Sequence, residues 1–170
     1  MEQDAPSTLL SQPPFSLLIG DVFHVVDEAT LDAAGVTHVL CVAAKCRLPP
    51  GCDTRQVLTV TLPDNGQCDW RQPGAMHTTN APAPDASVGQ LDACLAFVDA
   101  ARDAGGVVLV VCSSGNNRAA AVAAAWLLHS GTVTSLDAGM ERLRTARPSA
   151  AVSEAYFAQL LRFEAAKTDA

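Results

Sequence analysis

The chain has 170 residues, about the length of one domain. Apolar residues make up 49% of it and charged residues 17%, enough for a buried core and against disorder along its whole length. Acidic residues outnumber basic ones 18 to 11, a net charge of −7, which argues against nucleic acid or an anionic membrane as a chain-wide partner.

Residues 1–14 are polar and proline-bearing and read as a flexible N-terminal arm before one domain over residues 15–166. The opening M-E-Q-D-A-P-S-T has neither a charged-then-apolar leader nor a glycine for myristoylation. No apolar run reaches the roughly 18 residues of a membrane span. These features predict a soluble protein, cytoplasmic or also nuclear, with reduced thiols.

Ser16–Ile19 reads as a short strand closed by Gly20-Asp21, and Glu28–Ala34 as a helix stopped by Gly35. Val36–Ala43 and Val57–Leu62 are β-rich; the second ends in Pro63-Asp64-Asn65-Gly66. Residues 71–86 carry Pro73, Pro82 and Pro84 and read as a long loop. Val88, Leu91, Leu95 and Val98 have helical spacing within Ser87–Ala104. Val107–Val111 is a run of five branched apolar residues, the pattern of a strand buried on both faces. Arg118–Ser130 is an alanine-rich helix. Thr134-x-x-Asp137 reads as a cap for a helix to Ala146, and a last helix covers about 153–166. Alternating strands and helices predict an α/β fold on a mostly parallel sheet, here of four to five strands. Ligands of such sheets sit at the carboxyl ends of the strands.

Two strand ends carry candidate chemistry. After Val107–Val111 come Cys112, the loop Ser113-Ser114-Gly115-Asn116-Asn117, and Arg118 opening a helix. Loop amides and a helix N-terminus facing one concavity favour an anion. Arg118 adds a guanidinium for two phosphate oxygens, and the same field favours a nucleophilic thiolate at Cys112. The spacing alone is weak, since Cys41 and Arg47 match it too; but that pair has no glycine between its ends and is followed by Pro49-Pro50 instead of a helix. The alternative for Cys112 is a buried structural thiol. Asp64 ends the second strand and could act as an acid near the nucleophile; its alternative is a plain turn residue in Pro-Asp-Asn-Gly.

Cys46 and Cys52 flank a Pro-Pro-Gly turn, but His24, His38, His77 and His129 are scattered, so no metal site is expected. Cys41, at a buried strand end, reads as core, with a redox partnership to Cys112 as the alternative. Trp126 and its neighbouring alanines read as helix packing.

With these residues in order, the chain resembles the dual-specificity phosphatases, small members of the cysteine-dependent protein tyrosine phosphatase superfamily. Leu17-L-I-G20 resembles the family's L-x-L-G, and Gly35-V-T-H-V-L40 its G-I-T-H-V-L. Leu62-P-D-N-G-Q-C-D69 falls at its general-acid loop, and Arg144-T-A-R-P148 with Tyr156-F-A-Q-L-L-R-F-E164 resembles its carboxyl-terminal R-P…F-x-x-Q-L-x-x-Y-E. The resemblance implies a three-layer fold, no cofactor, and a phosphoprotein substrate. It makes Cys112 the nucleophile, Arg118 the phosphate clamp, residues 113–117 the phosphate-binding loop and Asp64 the general acid, with Asp69 the second choice.

Four positions depart from the family pattern. Val111 stands where histidine is usual, Ala119 replaces a serine or threonine, Asn117 replaces a serine, and Val152-Ser153 replaces the P-N pair. These predict a working but slow phosphatase, or one whose second step limits turnover, with a pseudophosphatase that binds phosphate without turnover as the alternative.

Overall fold

The computed structural model describes residues 5–44 and 54–168. A six-stranded sheet forms the middle of three layers. Its strands are β1 (Ser7–Gln12), β2 (Phe15–Asp21), β3 (His38–Cys41), β4 (Gln56–Val60), β5 (Met76–Thr79) and β6 (Val107–Cys112), in the order β1-β2-β6-β3-β4-β5. The inner pairs β2–β6, β6–β3 and β3–β4 are parallel, and the two edge pairs are antiparallel. The expected α/β fold and parallel core are therefore present, and the two antiparallel edges extend the sheet beyond the four to five strands expected.

Strand β6 is central for the reason its composition gives: Val108 to Cys112 are all buried, between β2 and β3. The helices are α1 (Val22–Val26), α2 (Glu28–Ala33), α3 (Gln90–Asp103), α4 (Arg118–His129), α5 (Leu136–Ala146) and α6 (Glu154–Thr168). Every residue of α4 before His129 is buried, and α3, α5, α6 and the sheet all pack on it. Its alanines make this possible, since a helix enclosed on all sides must present little volume on each. Trp126 packs against Phe15 with ring centroids 5.4 Å apart, and its Nε1 donates to Asp99 at 3.1 Å. Helix α6 ties two neighbours by their ends: Glu164 accepts from Leu136 N at the start of α5, and Lys167 Nζ donates to Leu128 O and His129 O at the end of α4. Each charge has the sign that its helix end favours.

Three expectations are corrected. Residues 7–12 are a strand rather than a flexible arm, with Leu9 and Leu10 buried. A register shift between Thr8 and Leu10 lets two consecutive leucines face inward, which hides the alternation expected of a strand. The loop 71–86 contains β5, whose Met76-His-Thr-Thr79 is short and largely polar because it lies at the sheet's edge. The cap of α5 is Ser135, accepting from Ala138 N, one residue beyond Thr134. Arg47, Cys46 and Cys52 lie outside the described residues. Among those described, no helix is long and apolar enough to cross a membrane.

Candidate active site

The chain turns from β6 through residues 113–117 into α4, at the carboxyl end of the sheet. Cys112 is 1% exposed and pairs in register with Asp21 of β2. The loop leaves little room above β2. A Cβ on Gly115 would lie 2.4 Å from Gly20 O and 2.9 Å from Arg147 Nη2, and Gly115 has φ +72°. Gly115→Ala is therefore expected to cost about 1–3 kcal/mol, as strain and overpacking combine. Chemical denaturation measures it, and a loss below about 0.5 kcal/mol would show that the loop relaxes freely.

The loop's carbonyls are held from behind. Ser114 O accepts from Arg147 Nη2 at 2.7 Å, and Asn116 O from Ala151 N at 2.8 Å. In a trans peptide the N–H points opposite to the carbonyl. The N–H groups of Gly115 and Asn117 therefore point away from Arg147 and Ala151. The Asn116 side chain adds to this backing, accepting from Arg147 Nε at 3.0 Å and Ser149 Oγ at 2.9 Å. Arg147 also lies 3.7 Å from Asp21 Oδ2.

Arg118 is 8% exposed. Its Nη2 donates to Ser113 Oγ at 2.8 Å and its Nη1 to Leu62 O at 3.2 Å. Nε lies 3.1 Å from Asp64 Oδ1, but its N–H finds no well-aimed acceptor. We read that contact as ionic pairing rather than a directed hydrogen bond. Asp64 does occupy a turn, with Gly66 N donating to Pro63 O, and that turn presents it to Arg118. Asp69 is elsewhere engaged: its carboxylate accepts from Arg71 N at 3.0 Å and lies 3.4 Å from Gln72 Nε2. The geometry thus brings Asp64, and not Asp69, to the cysteine loop.

Helix α6 fixes the loop that carries Asp64. Tyr156 donates to Pro63 O at 2.6 Å, and Gln159 Nε2 donates to Gly66 O at 3.3 Å while its Oε1 accepts from Trp70 N. Burial is the largest influence on Tyr156 and pushes its hydroxyl well above the ordinary range; neighbouring Cys68 adds to this. Tyr156 therefore acts here as a neutral donor. Burial also raises the Cys68 thiol, against a weaker opposing contact to Tyr156. The roles of Arg147, Tyr156 and Gln159 escape a reading of residue chemistry alone, although all three lie in the carboxyl-terminal stretches that carry the resemblance.

Cys41 is in the core, its thiol directed to Ala43 O at 3.6 Å. It pairs with Val111, the residue before Cys112. Strand alternation then sends the Cys41 and Cys112 side chains to opposite faces of the sheet, which favours the core reading over a redox pair. Cys94 is buried and its thiol is raised far above the ordinary range by that burial. Among the described residues no three His, Cys, Asp or Glu side chains group as metal ligands.

Residues 17–166 match the family model described as dual specificity phosphatase, catalytic domain. Among solved structures, human DUSP28 is similar at 25% identity, covering 98% of this chain and 97% of that one, with TM-score 0.74. A mouse putative dual specificity phosphatase complexed with zinc tungstate shares 24% identity over 99% and 93% of the two chains, with TM-score 0.76. A human tyrosine phosphatase-like serine/threonine/tyrosine-interacting protein shares the fold at 18% identity, over 98% and 99%, with TM-score 0.76. No curated protein sequence matches.

Proposed function

The chain belongs to the dual-specificity phosphatase catalytic-domain family, and from that premise we propose that it hydrolyses phosphate monoesters on proteins through a phosphocysteine intermediate. The observation that supports this reading is that Cys112 ends β6, residues 113–117 lead from it to Arg118 at the start of α4, and Asp64 lies 3.1 Å from Arg118 Nε. In the first step the Cys112 thiolate attacks phosphorus and the ester P–O bond breaks. Asp64 gives its proton to the departing oxygen. Loop amides and the Arg118 fork hold the equatorial oxygens, where charge concentrates. In the second step Asp64 takes a proton from water as it attacks phosphorus; the P–S bond breaks, releasing phosphate and the thiolate. No cofactor enters either step.

The loop interior has no cation besides Arg118, and the chain is acidic. That disfavours polyanionic substrates; phosphotyrosine or phosphoserine/threonine in a protein is the substrate that family membership supports. A cytoplasmic location suits such a substrate and forms part of the proposal.

Ala119 offers no hydroxyl to assist the departing sulfur, and it is fully buried, so breakdown of the intermediate is the slow step. Rapid mixing with an aryl phosphate should give a burst followed by slow turnover. Ala119→Ser should raise the steady rate roughly tenfold, the effect of one hydrogen bond to a developing charge. A wild-type progress curve without a burst, or a variant no faster, would overturn this assignment.

The same Ala119, with Val111, supports a second reading as a phosphate-binding module without turnover. It predicts phosphopeptide binding that survives Cys112→Ser and is lost in Arg118→Ala, with no hydrolysis by the wild type.

A further inference from the structure

Asn117 stands at the N-cap of α4, where an asparagine side chain ordinarily accepts from an N–H of the first turn. Here it makes no such bond. Its Nδ2 donates to Asp64 O at 2.7 Å and lies 3.4 Å from Asp64 Oδ1, while its Oδ1 accepts from Ser153 N at 2.9 Å. One planar amide therefore joins the phosphate loop, the acid loop and the entry to α6. The Ser153 hydroxyl is buried with no partner among the described residues, so position 153 takes part in this junction through its backbone.

The flanks of Asp64 are already anchored, since Tyr156 holds Pro63 O and Gln159 holds Gly66 O. Asn117 acts on the residue between those anchors. Diverting its side chain has a second effect: it leaves the first-turn N–H groups of α4 without the cap that an asparagine there ordinarily supplies.

We propose that Asn117 is a positioning residue that latches the acid loop to the phosphate loop and aims Asp64 at the leaving oxygen. This rests on the reading of Asp64 as general acid. A serine at position 117 is too short to reach both Asp64 and Ser153, so Asn117→Ser releases the latch without changing charge.

Protonation of the leaving oxygen matters most when that oxygen is a poor leaving group. The test compares kcat/KM, which covers steps up to phosphocysteine formation, for aryl phosphates with good and poor leaving groups. Asn117→Ser should lower it roughly tenfold for the poor leaving group and roughly twofold for the good one. In an Asp64→Asn background the same change should add almost nothing, because the group it aims is gone. Equal losses for both substrates, or full additivity with Asp64→Asn, would overturn the proposal. A second arm needs no turnover: amide hydrogen exchange over residues 62–69 should quicken in Asn117→Ser. Should the wild type prove inactive, the phosphatase reading falls, while the exchange result still decides the latch. Unchanged exchange would overturn it.

Discussion

Cys112→Ser should remove aryl phosphate hydrolysis by roughly 10⁴-fold or more, the scale on which loss of a covalent nucleophile acts, while leaving phosphate binding intact. Serine nearly matches cysteine in volume, and at 1% exposure the site can take it without opening a cavity. On the proposed reading the groups that hold the anion are elsewhere: in the amides of the loop, whose carbonyls are tied to Arg147 and Ala151, and in Arg118. Steady-state assays would measure the loss, and calorimetry with inorganic phosphate the retained binding. Residual turnover within tenfold of wild type would place the nucleophile elsewhere. Loss of phosphate binding would mean that the thiol shapes the cradle.

Arg118→Lys should lower kcat/KM by about 10²–10³-fold, although the charge is kept. The guanidinium reaches three groups in fixed directions: Ser113 Oγ, Leu62 O and the Asp64 carboxylate. An ammonium cannot present two parallel N–H donors to a phosphoryl group, nor brace the loop and the strand end together. Comparison of kcat/KM with a thermal melt separates the two consequences: the kinetic loss should far exceed what a modest fall in Tm explains. A lysine variant within tenfold of wild type would show that charge alone suffices.

How much of this was legible in the residues differs from place to place, for physical reasons. Val107–Val111 announces a central strand because a strand covered on both faces has no reason to alternate. Cys112, Gly115 and Arg118 are legible because each residue type answers a local demand of the turn or of an anion. β1 is hidden because its bulge breaks the period, and β5 because an exposed edge carries polar residues. Asp64 and Asp69 could not be separated along the chain; only the fold shows one beside Arg118 and the other occupied by its own turn. Asn117 is the hardest case. At a helix start its type suggests a cap, and nothing local reveals that its partners are Asp64 and Ser153, 53 and 36 residues away.

The backing of the phosphate loop and the anchoring of the acid loop both come from residues 147–159, and α6 is fastened in turn to α4 and α5 through Glu164 and Lys167. During synthesis, residues 112–118 therefore leave the ribosome well before the residues that hold them in shape. The nascent chain thus carries Cys112 and Arg118 before Arg147, Tyr156 and Gln159 are there to hold the two loops beside them.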